Sequence, residues 1–329
     1  MKEQVLALLI REEESYLSGE AISQTLGVSR AAVWKAIEAL RADGFAIEAA
    51  TRRGYRLAGS PDRLSPGTIL PLLRKDRADR LICFDSIDST NTYAKKIALQ
   101  GAPDGTMILA DEQTGGRGRR GRSFYSPAGK GLYLSALYRP NTKPARAVNL
   151  TAFAAVAVCQ AIGQISSVKP GIKWPNDIVA GGKKLCGILT EMSIEAETGA
   201  LDYVVAGMGI NVSQQPEDFP PDVRDIATSL LEQSGETVSR PALAAALINE
   251  LDAMMEAWLA GGRDYHSRYV RRCLNLGREV RLIRDGRETE AFAESVDEDF
   301  RLVVRYPDGT LEAVNAGEVS VRGLFGYIR

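Results

Sequence analysis

The sequence predicts an α+β multidomain chain: a winged helix-turn-helix, a central mixed β-sheet flanked by helices, and a small SH3-like barrel. Three observations carry that expectation. Residues 18–57 read as two helices and a hairpin, strand-like and helix-like runs alternate from about residue 80, and apolar and polar residues alternate from Gly277 onward between Asp-Gly turns. The middle runs suit a mixed sheet with hairpins better than a purely parallel one.

In the first unit, Ile22 and Leu26 lie four apart on one helix face, and Gly27 breaks that helix. Ser29 caps the next helix, where Val33, Ile37 and Leu40 recur at i, i+4 and i+7 before Gly44 ends it. FAIEAATRRGYRLAG then reads as two short strands around a turn at Arg53-Gly54. In this pattern the second helix enters the major groove and the hairpin touches the DNA backbone. Residues 1–60 carry eight Lys/Arg and eight Asp/Glu, but residues 29–57 carry six against three. The excess makes Ser29, Arg30, Lys35, Arg52 and Arg53 candidate DNA contacts, with Arg30 and Lys35 directed to phosphates rather than bases. A three-helix packing or dimerisation module with a solvated face is the alternative. Helix spacing, turn glycine and basic hairpin together favour DNA. The prolines, serines and glycine of SPDRLSPGTIL mark a linker. The expected units are therefore 1–60, a linker at 61–80, 81–270 and 271–329.

In the middle unit LICFDSID, TMILADEQ, GLYLSALYRP, KLCGILTEMSIE and LDYVVAGMGINVS read as strands. STNTYAKKIALQ reads as a helix opened by Ser89 or Thr90, and AVNLTAFAAVAVCQAIGQI as a long buried helix. Four segments stand out as candidate sites. DSTN (88–91) places hydroxyls and an amide at a helix start, which a plain N-cap would also explain. TGGRGRRGR (114–122) holds four glycines and four arginines, either a solvated basic loop or a loop shaped to an anion. Glycines admit close backbone approach, and guanidinium forks match carboxylate or phosphate. KWPND (173–177) puts an amide and a carboxylate at a turn, and GGKKLCGIL brings Lys184 to an apolar strand, where it either acts on a ligand or snorkels to solvent.

Composition restricts the chemistry. The net charge of -1 gives no global field to draw the chain onto nucleic acid or membrane, so such binding needs a local patch. A lone histidine, His266, argues against a Ser-His-Asp triad or a multi-His zinc site, and no GxxxxGK[ST] occurs. Chemistry must rest on Lys, Arg, Asp, Asn and backbone groups. Cys83, Cys159, Cys186 and Cys273 form no CxxC and read as buried free thiols in a reducing cytosol. The apolar start is brief and ends in acids, unlike a signal peptide, and no run of 18 apolar residues suggests a spanning helix. A cytoplasmic protein without a membrane partner is expected.

Taken in order, DSTN, Q-x-x-G-R-G-R-x-G-R, KWPND, K-L-x-G-I and G-x-G-I-N, from residue 88 to residue 211, resemble the biotin protein ligases. With the helix-turn-helix in front, the chain looks like the bifunctional bacterial type, and the resemblance covers nearly all of it. Each motif is moderate alone; five in order are strong. The resemblance implies a class II synthetase-like central domain that activates biotin with ATP and Mg²⁺. The biotinyl group then passes to a lysine of a biotin carboxyl carrier domain. It also implies biotin-responsive repression, with the adenylate-bound form dimerising on operator DNA.

By the same resemblance, Ser89, Thr90 and Asn91 line a biotin pocket with Gln113, Arg117, Gly118, Arg119 and Lys184. Arg119, Arg122, Asn176, Asp177, Ile188 and Asn211 face ATP or the adenylate, Asp177 helping to place Mg²⁺. Gly207 and Gly209 permit close backbone approach. Lys184 and Arg119 are the expected catalytic residues. Phe124 stands where some members carry Trp, so stacking survives while a Trp N–H bond does not. The C-terminal barrel either helps ATP or acceptor binding or is a structural cap. A biotin sensor without catalysis and a lipoate-type ligase are the competing readings. Lys184 with Arg117 and Arg119 speaks for the enzyme; the complete GRGRRGR and KWPND and the front domain speak for biotin.

Overall fold

The computed structural model describes residues 1–12, 15–59, 62–284, 286–315 and 320–323. Helices α1 (Lys2–Arg11), α2 (Gly19–Leu26) and α3 (Arg30–Ala42) precede an antiparallel hairpin of β1 (Ile47–Ala50) and β2 (Gly54–Leu57). Ser18 and Ser29 cap α2 and α3 by accepting from the backbone N–H of Ala21 and Ala32. Gly27, at φ 65°, supplies the left-handed stop between the two helices. Leu6, Leu9, Ile22, Val33, Ile37 and Leu40 close over one core with Leu57. The hairpin turn occupies residues 51–53, one step earlier than Arg53-Gly54, and Arg52 takes the left-handed conformation at its centre (φ 64°).

Residues 62–80 are not a loose linker. Helix α4 (Pro66–Ile69) forms there, and Pro66 sits in its first turn, where a missing N–H costs nothing. Glu3 of α1 accepts from Gly67 N (2.6 Å) and Ser65 Oγ (3.0 Å), and Leu64 and Ile69 are buried in the central core. Proline here opens a helix packed on both sides rather than marking a free hinge.

The central sheet contains β3 (Leu81–Ile87), β4 (Thr106–Gln113), β5 (Gly131–Tyr138), β6 (Gly171–Lys173), β7 (Asp177–Ala180), β8 (Lys183–Ile194) and β9 (Leu201–Asn211). Their order is β3-β4-β5-β9-β8-β7-β6, and only β3 and β4 run parallel. Helix α5 (Thr90–Leu99) links the parallel pair. Helices α6 (Pro144–Ala147), α7 (Leu150–Ile165), α8 (Leu230–Ser234), α9 (Arg240–Leu259) and α10 (Arg263–Arg272) complete the layer. The run Pro144–Ile165 is long and apolar enough to cross a membrane by length and composition, beyond what a count of unbroken apolar residues suggests. It is a core helix: 11 of the 16 residues of α7 are buried, against α9 and the sheet.

The C-terminal sheet orders β10 (Arg278–Arg284), β11 (Arg287–Val296), β12 (Leu302–Arg305), β13 (Leu311–Val314) and β14 (Ser320–Gly323) as β13-β12-β11-β10-β14, all antiparallel. Gly309 makes the second Asp-Gly turn at φ 86°. Asp285 of the first lies outside the described residues, as do 316–319. This unit is joined to the central one by polar bonds. Trp174 donates its indole N–H to Phe300 O (2.9 Å), and His266 Nε2 donates to Val296 O (3.0 Å) and Asp297 O (2.9 Å). The single histidine is thus a strut between domains, since both partners only accept.

Candidate active site and nucleic-acid interface

One cavity of about 590 Å³ opens over the sheet, and every residue expected to touch biotin or ATP lines it. The lining runs from Ser89, just past β3, to Asp177, at the start of β7. The sheet order puts five interstrand steps between those strands, roughly 24 Å, enough for a long, two-part ligand.

The floor is made of glycine. Gly207 and Gly209 alternate on one face of β9, and Gly187 of β8 pairs with Gly209. A Cβ at Gly207 would stand 2.1 Å from Asn91 Oδ1, and one at Gly209 would stand 2.5 Å from the Phe124 ring. The missing side chains therefore let α5 and the arginine loop settle onto the sheet. Phe124 takes that place as an aromatic ring, edge-on to Tyr133 with centroids 6.5 Å apart.

At the β3–β4 end, Ser89 caps α5. Gln113 Oε1 accepts from Thr90 N (2.9 Å) and Thr90 Oγ1 (3.1 Å), while its Nε2 donates to Ser126 Oγ (3.0 Å). Asn91 points into a buried network. Its Oδ1 accepts from Ser135 Oγ (2.6 Å), and its Nδ2 donates to Leu189 O (3.2 Å) and Glu191 Oε2 (2.9 Å). Asn91 therefore orders the wall with its polar atoms and offers the cavity its edge.

At the other end, Arg119 donates to Asn176 Oδ1 (3.1 Å), and Asn176 Nδ2 donates to Ile188 O (2.7 Å). Lys184 Nζ lies 2.7 Å from Asp177 Oδ1. Burial, then the neighbouring Arg120, holds Arg119 below the ordinary guanidinium range, although Asp177 pulls the other way. Arg119 stays charged, as guanidinium does in proteins, and sits where water screens it poorly. Asn211, like Asn91, lines the cavity but turns its amide outward, donating to Thr228 O (2.9 Å) and accepting from Gln214 Nε2 (3.3 Å). Asp177 is the single acidic side chain among the described lining residues, and no group of three metal-ligating side chains occurs among the described residues. One carboxylate suits Mg²⁺ only where substrate phosphates supply further oxygens.

The arginine loop is a small hairpin of its own. Gly118 N donates to Arg122 O (2.7 Å), Phe124 N donates to Gly116 O (2.9 Å), and Arg120 takes φ 57° between them. Gly116 is required inside the hairpin, because a Cβ there would lie 2.4 Å from Phe124 O. The glycines thus fold the loop on itself as well as admitting a ligand. Arg117, Gly118, Arg119 and Arg122 all reach the cavity.

Residues 83–211 match the family model described as Biotin/lipoate A/B protein ligase family, residues 2–56 an HTH domain, and residues 276–322 a Biotin protein ligase C terminal domain. The bifunctional ligase/repressor BirA of Bacillus subtilis is 43% identical over 241 residues, 73% of this chain and 74% of that relative. The BirA of Escherichia coli is 32% identical over 319 residues, 97% of this chain and 96% of that one. This chain belongs to the biotin protein ligases, in their bifunctional ligase/repressor form. A biotin protein ligase structure from Aquifex aeolicus, in complex with biotin and ATP, aligns with TM-score 0.64 at 28% identity, over 74% of this chain and 99% of that one.

Several lining residues of this ligase carry no legible motif. Part of the wall comes from residues 212–229, of which Phe219, Val223, Ile226 and Ala227 line the cavity. It is stitched to the β8 lysine: Lys184 N donates to Ile226 O (2.7 Å) and Thr228 N donates to Lys184 O (2.9 Å). Lys173, buried beside Trp174, and Arg281 from β10 also line the cavity. Arg281 brings the C-terminal sheet into the site, where it pairs with Glu288 at 3.1 Å.

The thiols stay out of the chemistry. Burial pushes Cys83 and Cys159 up to about 12, so neither is a thiolate near neutral pH.

On the helix-turn-helix, Arg30, Lys35, Arg52 and Arg53 are exposed. Arg30 lies 3.4 Å from Glu20, an exposed pair that a phosphate can displace. Ser29 spends its hydroxyl on the cap of α3, leaving its backbone for any DNA contact. Arg53 lies over the Tyr16 ring at 4.4 Å, and Tyr16 donates to Glu48 (2.8 Å). That stack steadies the wing.

Proposed function

We propose that this ligase condenses biotin with ATP to biotinyl-5′-AMP, transfers the biotinyl group to a lysine of a biotin carboxyl carrier domain, and represses transcription through its N-terminal domain. The observation that carries the reading is the single cavity in which Arg119, Asn176, Asp177 and Lys184 gather at one end and Thr90 and Gln113 at the other. Residues 1–60 bind operator DNA, 81–270 catalyse, and 271–329 close the site through Arg281. The setting is the cytoplasm, and the adenylate-bound form is a homodimer matched to two half-sites.

The biotin carboxylate attacks the ATP α-phosphorus, the P–O bond to pyrophosphate breaks, and a mixed anhydride forms. Negative charge gathers on the α-phosphoryl oxygens, where Lys184 and Arg119 stabilise it in a water-poor site. Asn176 holds Arg119 in place, and Asp177 holds Lys184. Asp177 would help hold Mg²⁺ together with the substrate phosphates, and the ion would supply charge neutralisation for the leaving pyrophosphate. The carrier amine then attacks the carbonyl and AMP leaves. No step needs histidine or an enzyme nucleophile. The deciding experiment combines the protein with ATP, Mg²⁺, biotin and a purified carrier domain. One biotinyl mass gained per carrier is expected; neither pyrophosphate release nor a mass gain would leave a sensor without catalysis, and a gain seen only when lipoate replaces biotin would make it a lipoate ligase.

The arginine loop carries a second expectation. An acyl-adenylate hydrolyses if exposed, so residues 114–125 should tighten over the ligand. Trypsin cleavage at Arg117–Arg122 is expected to slow severalfold with biotin and ATP present. Equal cleavage rates with and without ligand would exclude a closing loop.

A further inference from the structure

The protein has three tryptophans, and they divide sharply by environment. Trp174 and Trp258 are 2% and 1% exposed, whereas Trp34 is 55% exposed. Trp34 lies in the second turn of α3, directly after the buried Val33, so its indole points away from the core. Among the described residues it makes no ring contact and no hydrogen bond.

A single exposed apolar side chain is ordinary. The placement of this one is not. The N-terminal residues of the second helix in a helix-turn-helix face base edges in the major groove. Ala31, one turn earlier, is exposed on the same face and leaves the indole unobstructed. Arg30 and Lys35, both exposed, flank it, and the wing arginines lie beyond. Cations on both sides with an apolar surface between them match a duplex approached edge-on: phosphates at the margins, bases in the middle. The apolar group a major groove offers is the C5-methyl of thymine.

We propose that Trp34 is a specificity-determining residue of the DNA interface, packing its indole on a thymine methyl, while Arg30, Lys35, Arg52 and Arg53 hold phosphates. The proposal rests on the operator-binding reading above and adds to it which residue reads sequence and which group it reads.

The test uses the full chain with biotin and ATP. Duplexes are enriched from a random-sequence pool by the wild-type protein, and each thymine of the resulting site is replaced in turn by deoxyuridine, which removes only the methyl. The wild type is expected to lose about fivefold in affinity at one thymine per half-site, the worth of a buried methyl. Trp34→Ala should bind the parent site about tenfold to a hundredfold more weakly. It should be indifferent to that uridine and keep the wild-type salt slope, because no phosphate contact is lost. Trp34→Phe should recover part of the methyl sensitivity. Acrylamide quenching adds an independent readout, since Trp34 is the one exposed indole; bound duplex should shield it. Carrier biotinylation by Trp34→Ala at the wild-type rate shows that the chain remains folded. A wild type and Trp34→Ala with the same uridine profile, or a Trp34 still fully quenched on DNA, overturns the proposal. A wild-type protein that enriches no sequence overturns the operator reading itself, and this proposal with it.

Discussion

Replacing Lys184 by alanine is expected to lower adenylate formation by about 10²–10³, the usual cost of removing one preorganised electrostatic donor from a site where charge develops. Pyrophosphate release with biotin, ATP and Mg²⁺ measures it. Lys184 touches Asp177 and borders the 226–228 wall, so the alanine variant also leaves Asp177 without that partner. Two further measurements separate chemistry from collapse. Lys184→Arg keeps the charge but not the ammonium geometry, and should recover only part of the rate. Supplying ready-made biotinyl-5′-AMP bypasses the first step, so transfer to the carrier should fall far less than adenylate formation does. Wild-type adenylate formation by Lys184→Ala would remove the lysine from the mechanism. An equal fall in both half-reactions would make its role the shape of the wall.

What could be read in advance follows a physical rule. Caps, turn glycines and period-two strands are local, so Ser29, Gly27, the central strands and the α5 start stand where their neighbours in sequence require. Through the family resemblance the glycines of GMGIN were legible as close approach, and Gly207 and Gly209 do meet Asn91 and Phe124. Side-chain direction was not legible. Asn91 and Asn211 both line the cavity, yet their amides serve the walls, because their buried polar atoms had to be satisfied and partners lay behind them. Nor was the 212–229 wall, which lacks periodicity and is positioned by backbone bonds to Lys184. Arg281 looks like any exposed residue on an alternating strand, and only the docking of the C-terminal sheet reveals it. Pro66 misled because proline marks a linker and a helix start alike, and the choice between them depends on Glu3, more than sixty residues away.

Arg240→Ala is expected to destabilise the chain by about 3 kcal/mol, the low end for breaking a buried ion pair by removing one partner. Arg240 is 4% exposed at the first position of α9. Its Nε donates to Asp62 Oδ2 (2.7 Å), one terminal nitrogen to Asp62 O (2.6 Å), and the other to Asp111 Oδ1 (2.5 Å) and Gly131 O (3.3 Å). Burial alone would lower its affinity for the proton, but Asp62 and Asp111 outweigh that and raise it, so the charge is kept. The low end is chosen because Asp62 and Asp111 retain access to water once the arginine is gone. This one side chain joins the segment behind the DNA-binding unit to the end of β4 and the start of β5, the strands that carry Gln113 and bound the arginine loop. A fall in melting temperature of roughly 5–10 °C is expected. Arg240→Lys should recover little of it, because an ammonium cannot satisfy acceptors arranged around a planar fork. Asp111→Asn should cost less than Arg240→Ala, since the guanidinium keeps Asp62 and Gly131. A melting temperature for Arg240→Ala within a degree of the wild type would mean that these contacts only break even against the cost of desolvating them, and that α9 is held on the sheet by its apolar face alone.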